Sequence, residues 1–85
     1  MGKIEKMRAK LNRTPTPTDI TYRWLFSLLE HYGFTIESGG KHRHIVHDEL
    51  DIIFPIPIHE KCVNPLYIKS IREKLNKYWP IEEDI

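Results

Sequence analysis

The run GGKHRHIVH, residues 39–47, holds three of the five histidines of this 85-residue chain directly behind a glycine pair. An imidazole titrates near about pH 6.5, so it can take or give a proton at neutral pH, and in its neutral form it binds metal. Metal ligation, general acid/base chemistry and an exposed strand face with no chemical role are therefore all open for this run. Alternation along a strand puts His42, His44 and Val46 on one face and Arg43, Ile45 and His47 on the other. With Ile45 turned to a core, His42 and His44 look outward, and Val46 is exposed beside them.

The His42-x-His44 pair is a two-ligand start for zinc, but a tetrahedral set needs more. His47 faces away, His59 sits in a separate loop, and Cys62 is the single cysteine. No metal and no cofactor are expected. The lone cysteine also rules out an internal disulfide, which fits a reducing compartment. His59 has two readings, a structural hydrogen bond to loop backbone or contact with a substrate, and the first is favoured because short loops carry many backbone groups in need of partners. His31, near a helix end, is expected to meet the terminal carbonyls.

These side chains need a frame, and the sequence punctuates one. Ile4, Met7 and Leu11 lie at helical spacing, which predicts a short amphipathic helix over about residues 2–12. Pro15 and Pro17 break it. In ITYRWLFSLLEHYGF the residues Trp24, Leu25, Leu28, Leu29 and Tyr32 make one stripe, with Thr21 as N-cap, Ile20 and Leu25 placed as a hydrophobic staple, and Gly33 as the stop. FTIE, HRHIVH and DIIFPI follow, three β-rich runs separated by SGGK and DEL, which read as an antiparallel meander. Pro55 marks the third run as an edge strand or its end. Asn64 before Pro65 then starts a helix carrying Ile68, Ile71, Leu75 and Tyr78. Trp24 and Tyr32 read as core residues, and Trp79 as the anchor of the tail.

The predicted order is α-α-β-β-β-α, an α+β fold whose three-stranded antiparallel sheet is packed on helices. With 40% hydrophobic residues the chain can bury one small core, and one domain is expected. A basic N-terminal helix (1–13), a Thr/Pro linker (14–19), the main domain (20–79) and an acidic tail (80–85) divide it. The net charge is only +1, yet it is unevenly spread: Lys3, Lys6, Arg8, Lys10 and Arg13 stand against Glu5 at one end, and Glu82, Glu83 and Asp84 close the other. A basic arm of this kind suits phosphate, and equally a solvated helix face. No run approaches the roughly 20 apolar residues of a membrane span, and no signal-like segment opens the chain, so a soluble, cytoplasmic protein is expected. Phosphate-cradling and dinucleotide-binding glycine motifs are absent.

Taken in order, LLEHYGF, GKHRHI, PIPIH and VNPLYIKSI resemble the HicA family of bacterial toxins, the small mRNA interferases of type II toxin–antitoxin systems. Members typically carry a helix ending in Gly-Phe, a Gly-Ser-His-x-x-hydrophobic run, a Pro-x-His segment and a final helix starting near a Pro-Tyr stretch. Gly33-Phe34, Gly40-Lys41-His42, Pro57-Ile58-His59 and Pro65-Leu66-Tyr67 occupy those places over roughly residues 20–78. The resemblance implies a double-stranded-RNA-binding-domain-like fold and a metal-independent endoribonuclease acting on mRNA. It implies His42 as general acid/base, and Gly40, Lys41, Arg43, His44 and Lys61 as residues that bind the RNA. A HicB-type antitoxin would be the protein partner. Lys41 departs from the family serine, and with it comes the alternative of an RNA-binding module that does not cut.

Overall fold

The computed structural model describes residues 2–58 and 61–81, which fall into two compact units: Asp19–Val63, and the segments 2–18 and 64–81 together. The elements are α1 (Lys3–Leu11), α2 (Tyr22–His31), β1 (Thr35–Gly39), β2 (His42–His47), β3 (Ile52–Pro57) and α3 (Pro65–Tyr78), the α+β order that the sequence predicts.

In the unit Asp19–Val63, α2 begins where the Thr21 hydroxyl accepts the Trp24 amide at 3.2 Å, satisfying one of the donors that a helix start leaves open. It stops at Gly33, whose φ of +91° lies in the left-handed region that a glycine enters without a Cβ penalty. Ile20, Leu25, Leu28 and Leu29 are buried, as the staple requires, whereas Trp24 and Tyr32, expected in the core on the same stripe, are only half-buried. The strands form an open antiparallel sheet in the order β1-β2-β3, and α2 lies against β1. β1 and β2 are joined by Gly40 and Lys41, with φ of +66° at Gly40 alone, the pattern of a type II′ hairpin turn. Between β2 and β3 the chain turns through Asp48–Asp51, with Asp51 at φ +52°, a conformation that aspartate tolerates.

Period-two burial is clear on the core side: Ile45 and His47 of β2, with Ile52 and Ile56 of β3, are buried. β3 is an edge strand that runs through Pro55 to Pro57, where missing amide donors are tolerated. The ends of this unit meet, since Thr21 bridges to Cys62 and the Val63 amide donates to the Ile20 carbonyl at 2.8 Å.

The other unit pairs α1 with α3. Asn64 caps α3 through its Oδ1, which accepts the Leu66 amide at 2.9 Å, and Pro65 fills the first helical position. Ile68, Ile71 and Leu75 are buried, but Tyr78 is 39% exposed: the stripe expected to include it ends one turn earlier. Arg8 is buried, which its residue type does not suggest. Its guanidinium donates to Asn76 Oδ1 at 2.9 Å and to the Trp79 carbonyl at 2.8 Å, placing a cation at the C-terminal end of a helix. Asn76 also donates to Asn12, and Arg72 to the Arg13 carbonyl at 3.1 Å, so the two helices run antiparallel. Of the acidic tail, residues 82–85 lie outside the described residues.

The two faces of the sheet predict unequal costs of truncation. Ile45→Ala, at a fully buried position, should destabilise the chain by about 2–5 kcal/mol. Ile53→Ala, at a site 66% exposed, should change stability by no more than about 0.5 kcal/mol. Urea denaturation of both variants checks this, and equal costs would mean that the sheet faces are wrongly assigned.

Candidate functional site

Burial of Ile45 and His47 forces the intervening residues of β2 to the other face. There His42 is exposed, and His44 and Val46 are half-buried. The register completes this face. Gly39 pairs with His42, Glu37 with His44 and Thr35 with Val46 on one side, while Pro57, Pro55 and Ile53 pair with the same three residues on the other. Directly opposed residues on one sheet face have Cβ atoms about 4.5–5.5 Å apart. A carboxylate therefore stands across from an imidazole, and both are proton carriers. Glu37 escaped notice in the sequence because its alternation means little until the hairpin register is known.

Gly39 has a role beyond turn chemistry. A Cβ built there would lie 2.7 Å from His44 Cε1 and 2.9 Å from Nδ1, so the imidazole occupies the space that a side chain would take. The missing Cβ lets the ring approach the neighbouring strand closely.

Gly40, Lys41, His42 and Arg43 cluster at this end of the hairpin. The Lys41 side chain is exposed, and its carbonyl accepts the Ile58 amide at 2.8 Å, which ties the turn to the chain leaving β3. The Arg43 guanidinium donates to the carbonyls of Gly40 and His42, both at 3.3 Å. It therefore curls back along the turn, although its strand position belongs to the core-facing set. The Tyr22 hydroxyl, in the first turn of α2, donates to the Pro57 carbonyl at 2.9 Å, and Pro57 is the register partner of His42. Lys61 is exposed in the loop after β3, and among the described residues no hydrogen bond joins it to the turn. His59 lies outside the described residues.

The far end of β2 is built differently. His47 is buried, stacked edge-on against Phe34 with ring centroids 4.9 Å apart, and its Nε2 donates to the Tyr32 carbonyl at 3.0 Å. A carbonyl only accepts, so Nε2 carries the hydrogen. This corrects the expectation for His31, which is exposed with its ring edge-on to Tyr32, while the helix-end carbonyl is taken by an imidazole from β2. His31, Tyr32, Gly33, His47, Asp48 and Glu49 line an open hollow here. Among the described residues, no three His, Cys, Asp or Glu side chains are grouped so as to hold a metal ion. Among them, too, no helix is long and apolar enough to cross a membrane.

A family model described as "HicA toxin of bacterial toxin-antitoxin" matches residues 22–76, from the first turn of α2 to the last turn of α3. No curated protein matches the chain, and no solved structure does.

The contact between His44 and Gly39 generates a prediction. In Gly39→Ala the new methyl group and the imidazole cannot share one space, and the ring is the group free to swing away. The His44 ring resonances should shift markedly while those of His47 stay in place, with stability lowered by no more than about 1 kcal/mol. Two-dimensional NMR of the histidine rings measures it; an unmoved His44 would show that Gly39 serves the turn alone.

Proposed function

The chain belongs to the HicA family of toxins of bacterial toxin–antitoxin systems, and from that premise we propose that it is a metal-independent endoribonuclease that cleaves mRNA and is neutralised by a HicB-type antitoxin. The observation that carries this reading is the pair His42 and His44 on the outer face of β2, beside a turn that presents Lys41. The reaction such a face suits is attack of a ribose 2′-hydroxyl on the adjacent phosphorus. An imidazole takes the hydroxyl proton as the new P–O bond forms, and the departing 5′-oxygen receives a proton as the old one breaks. The products are a 2′,3′-cyclic phosphate and a 5′-hydroxyl end. Nothing is oxidised or reduced, and no metal is needed to balance the step.

His42, exposed and nearest the turn, is the proton-transfer residue in this reading, and His44 assists on the same face. Lys41 and Arg43 supply positive charge where the phosphate gathers negative charge in the transition state. Gly40 lets the RNA backbone approach the turn closely, and Lys61 adds a further cation from its loop. The antitoxin covers His42, because a partner that leaves the cutting face open does not neutralise it. The replacement of the family serine by Lys41 favours one second reading, a member of the fold that holds RNA without cutting it.

Induced expression of the wild-type chain should arrest growth and shorten transcripts, with cyclic-phosphate ends and with activity retained in chelator. His42→Ala should lower cleavage by about a hundred- to ten-thousand-fold with RNA binding nearly intact, whereas His44→Ala should mainly weaken binding. Both sites lie off the core face, so circular dichroism should be unchanged. Full cleavage by folded His42→Ala together with its loss in His44→Ala would move the proton transfer to His44. Binding without shortening of RNA by the wild-type chain would select the second reading.

A further inference from the structure

The charge of this chain is divided between its units in a way that the net value conceals. Of the 13 Lys and Arg residues, nine belong to the α1–α3 unit, where the described acids are Glu5 and Glu73 alone. Counting the tail residues Glu82, Glu83 and Asp84 as well, that unit still carries an excess of four positive charges. Asp19–Val63, which holds the histidine face, has four basic residues against seven acidic ones. A polyanion is therefore not drawn to the cutting face by the charge of its own unit.

The arrangement on α1 is ordered. Lys3, Lys6 and Lys10 follow each other at i, i+3 and i+7 on one stripe that borders the buried Met7, with Lys3 and Lys6 exposed and Lys10 half-buried. Lys3 with Lys6, and Lys6 with Lys10, are like-charge neighbours, a spacing that costs a helix about 0.2–0.5 kcal/mol per pair. Interleaved signs are the pattern of a solvated face laced with ion pairs, and this stripe does not show it. Here Glu5, the one acid on the helix, is engaged by the Gly2 amide at the helix start. At the far end, the Arg72 hydrogen bond to the Arg13 carbonyl brings a further cation of α3 to the C-terminal end of α1. Lys3 to Lys10 spans about 10 Å of helix.

We infer that the α1–α3 unit is a sequence-independent binding surface for the phosphate backbone of RNA, with the Lys3, Lys6 and Lys10 stripe at its centre. α1 lies outside the residues matched by the family model, so the lysine stripe is an addition to the matched part of the chain, whereas most of α3 lies within it. The choice of RNA as the polyanion rests on the ribonuclease reading above; the charge stripe itself does not.

The test uses the full chain carrying His42→Ala, so that RNA stays intact, and a labelled polyuridylate strand. Lys3→Gln/Lys6→Gln/Lys10→Gln in that chain should weaken binding at low salt ten-fold or more. It should also make the dependence of log affinity on log salt shallower by about 2, since each phosphate contact on a single strand contributes about 0.7. The matching Lys→Arg variant should keep both values, and Arg23→Gln, an exposed charge on α2 in the other unit, should leave the slope unchanged. In the chain with His42 intact, the three glutamines should leave cleavage of a dinucleotide unchanged. Should the glutamine variant fail to fold by circular dichroism, lysine acetylation of the unaltered chain replaces it, and polyuridylate should protect Lys3, Lys6 and Lys10. An unchanged salt slope in the folded variant, or no protection, overturns the inference. So does loss of binding to phosphatidylserine vesicles with polyuridylate affinity intact, which would assign the stripe to a membrane surface. Undiminished cleavage by His42→Ala would count against the catalytic assignment alone, because the salt slope is read without any cutting.

Discussion

The hydrogen bond from His47 to the Tyr32 carbonyl ties the end of α2 to the central strand, and the rest of the hairpin is set by it. Only a glycine next in line makes it possible: a Cβ at Gly33 would lie 3.2 Å from His47 Nε2, and the φ of +91° there is one that side chains resist. Phe34 packs edge-on with the same ring. With His47 and Ile45 committed to the core, a slip of one residue would bury His42 and His44 and expose the two core residues. The buried histidine thus decides which way the exposed ones point.

Much of this frame was legible in the sequence because it rests on local chemistry. Thr21, Gly33, Asn64 and Pro65 act within a few residues of themselves, and each does in the structure what its type suggests. The strand faces of β2 followed from Ile45 alone. What escaped the sequence depends on partners distant along the chain. His31 lies nearer the α2 carbonyls in sequence, but His47 reaches them in space, and no local signal distinguishes the two. Arg8 is read as one more cation of a basic arm until Asn76 and Trp79, some seventy residues away, supply its acceptors. Glu37, Gly39 and Tyr22 join the candidate site only through register and packing, which the one-dimensional pattern does not carry.

The two ends of β2 illustrate how one residue type serves opposite purposes. His47 is held by a carbonyl, an aromatic edge and a glycine gap, and its orientation is over-determined. His42 is exposed, and His44 is half-buried against a glycine. A proton-transfer group must reach a substrate and exchange protons with it, which a buried, engaged imidazole cannot do. Exposure beside the rigid turn, more than the presence of histidine, is what distinguishes this end of the strand. The Ile58 hydrogen bond to the Lys41 carbonyl and the Tyr22 hydrogen bond to Pro57 supply that rigidity from outside the hairpin.

In the proposed reading, phosphate affinity and proton transfer are assigned to different units, which has a consequence for catalysis. Charge that binds RNA equally well before and during reaction strengthens the complex without lowering the barrier, so it need not lie at the scissile bond. Cations at the bond itself are useful in small number and fixed position, where negative charge grows in the transition state. That restricted role is the one proposed for Lys41 and Arg43, of which one is carried by the turn and the other is hydrogen-bonded along it. In the proposed reading, the excess of basic residues in the α1–α3 unit and of acidic residues in Asp19–Val63 lets one chain hold a polyanion without adding cations to the histidine face.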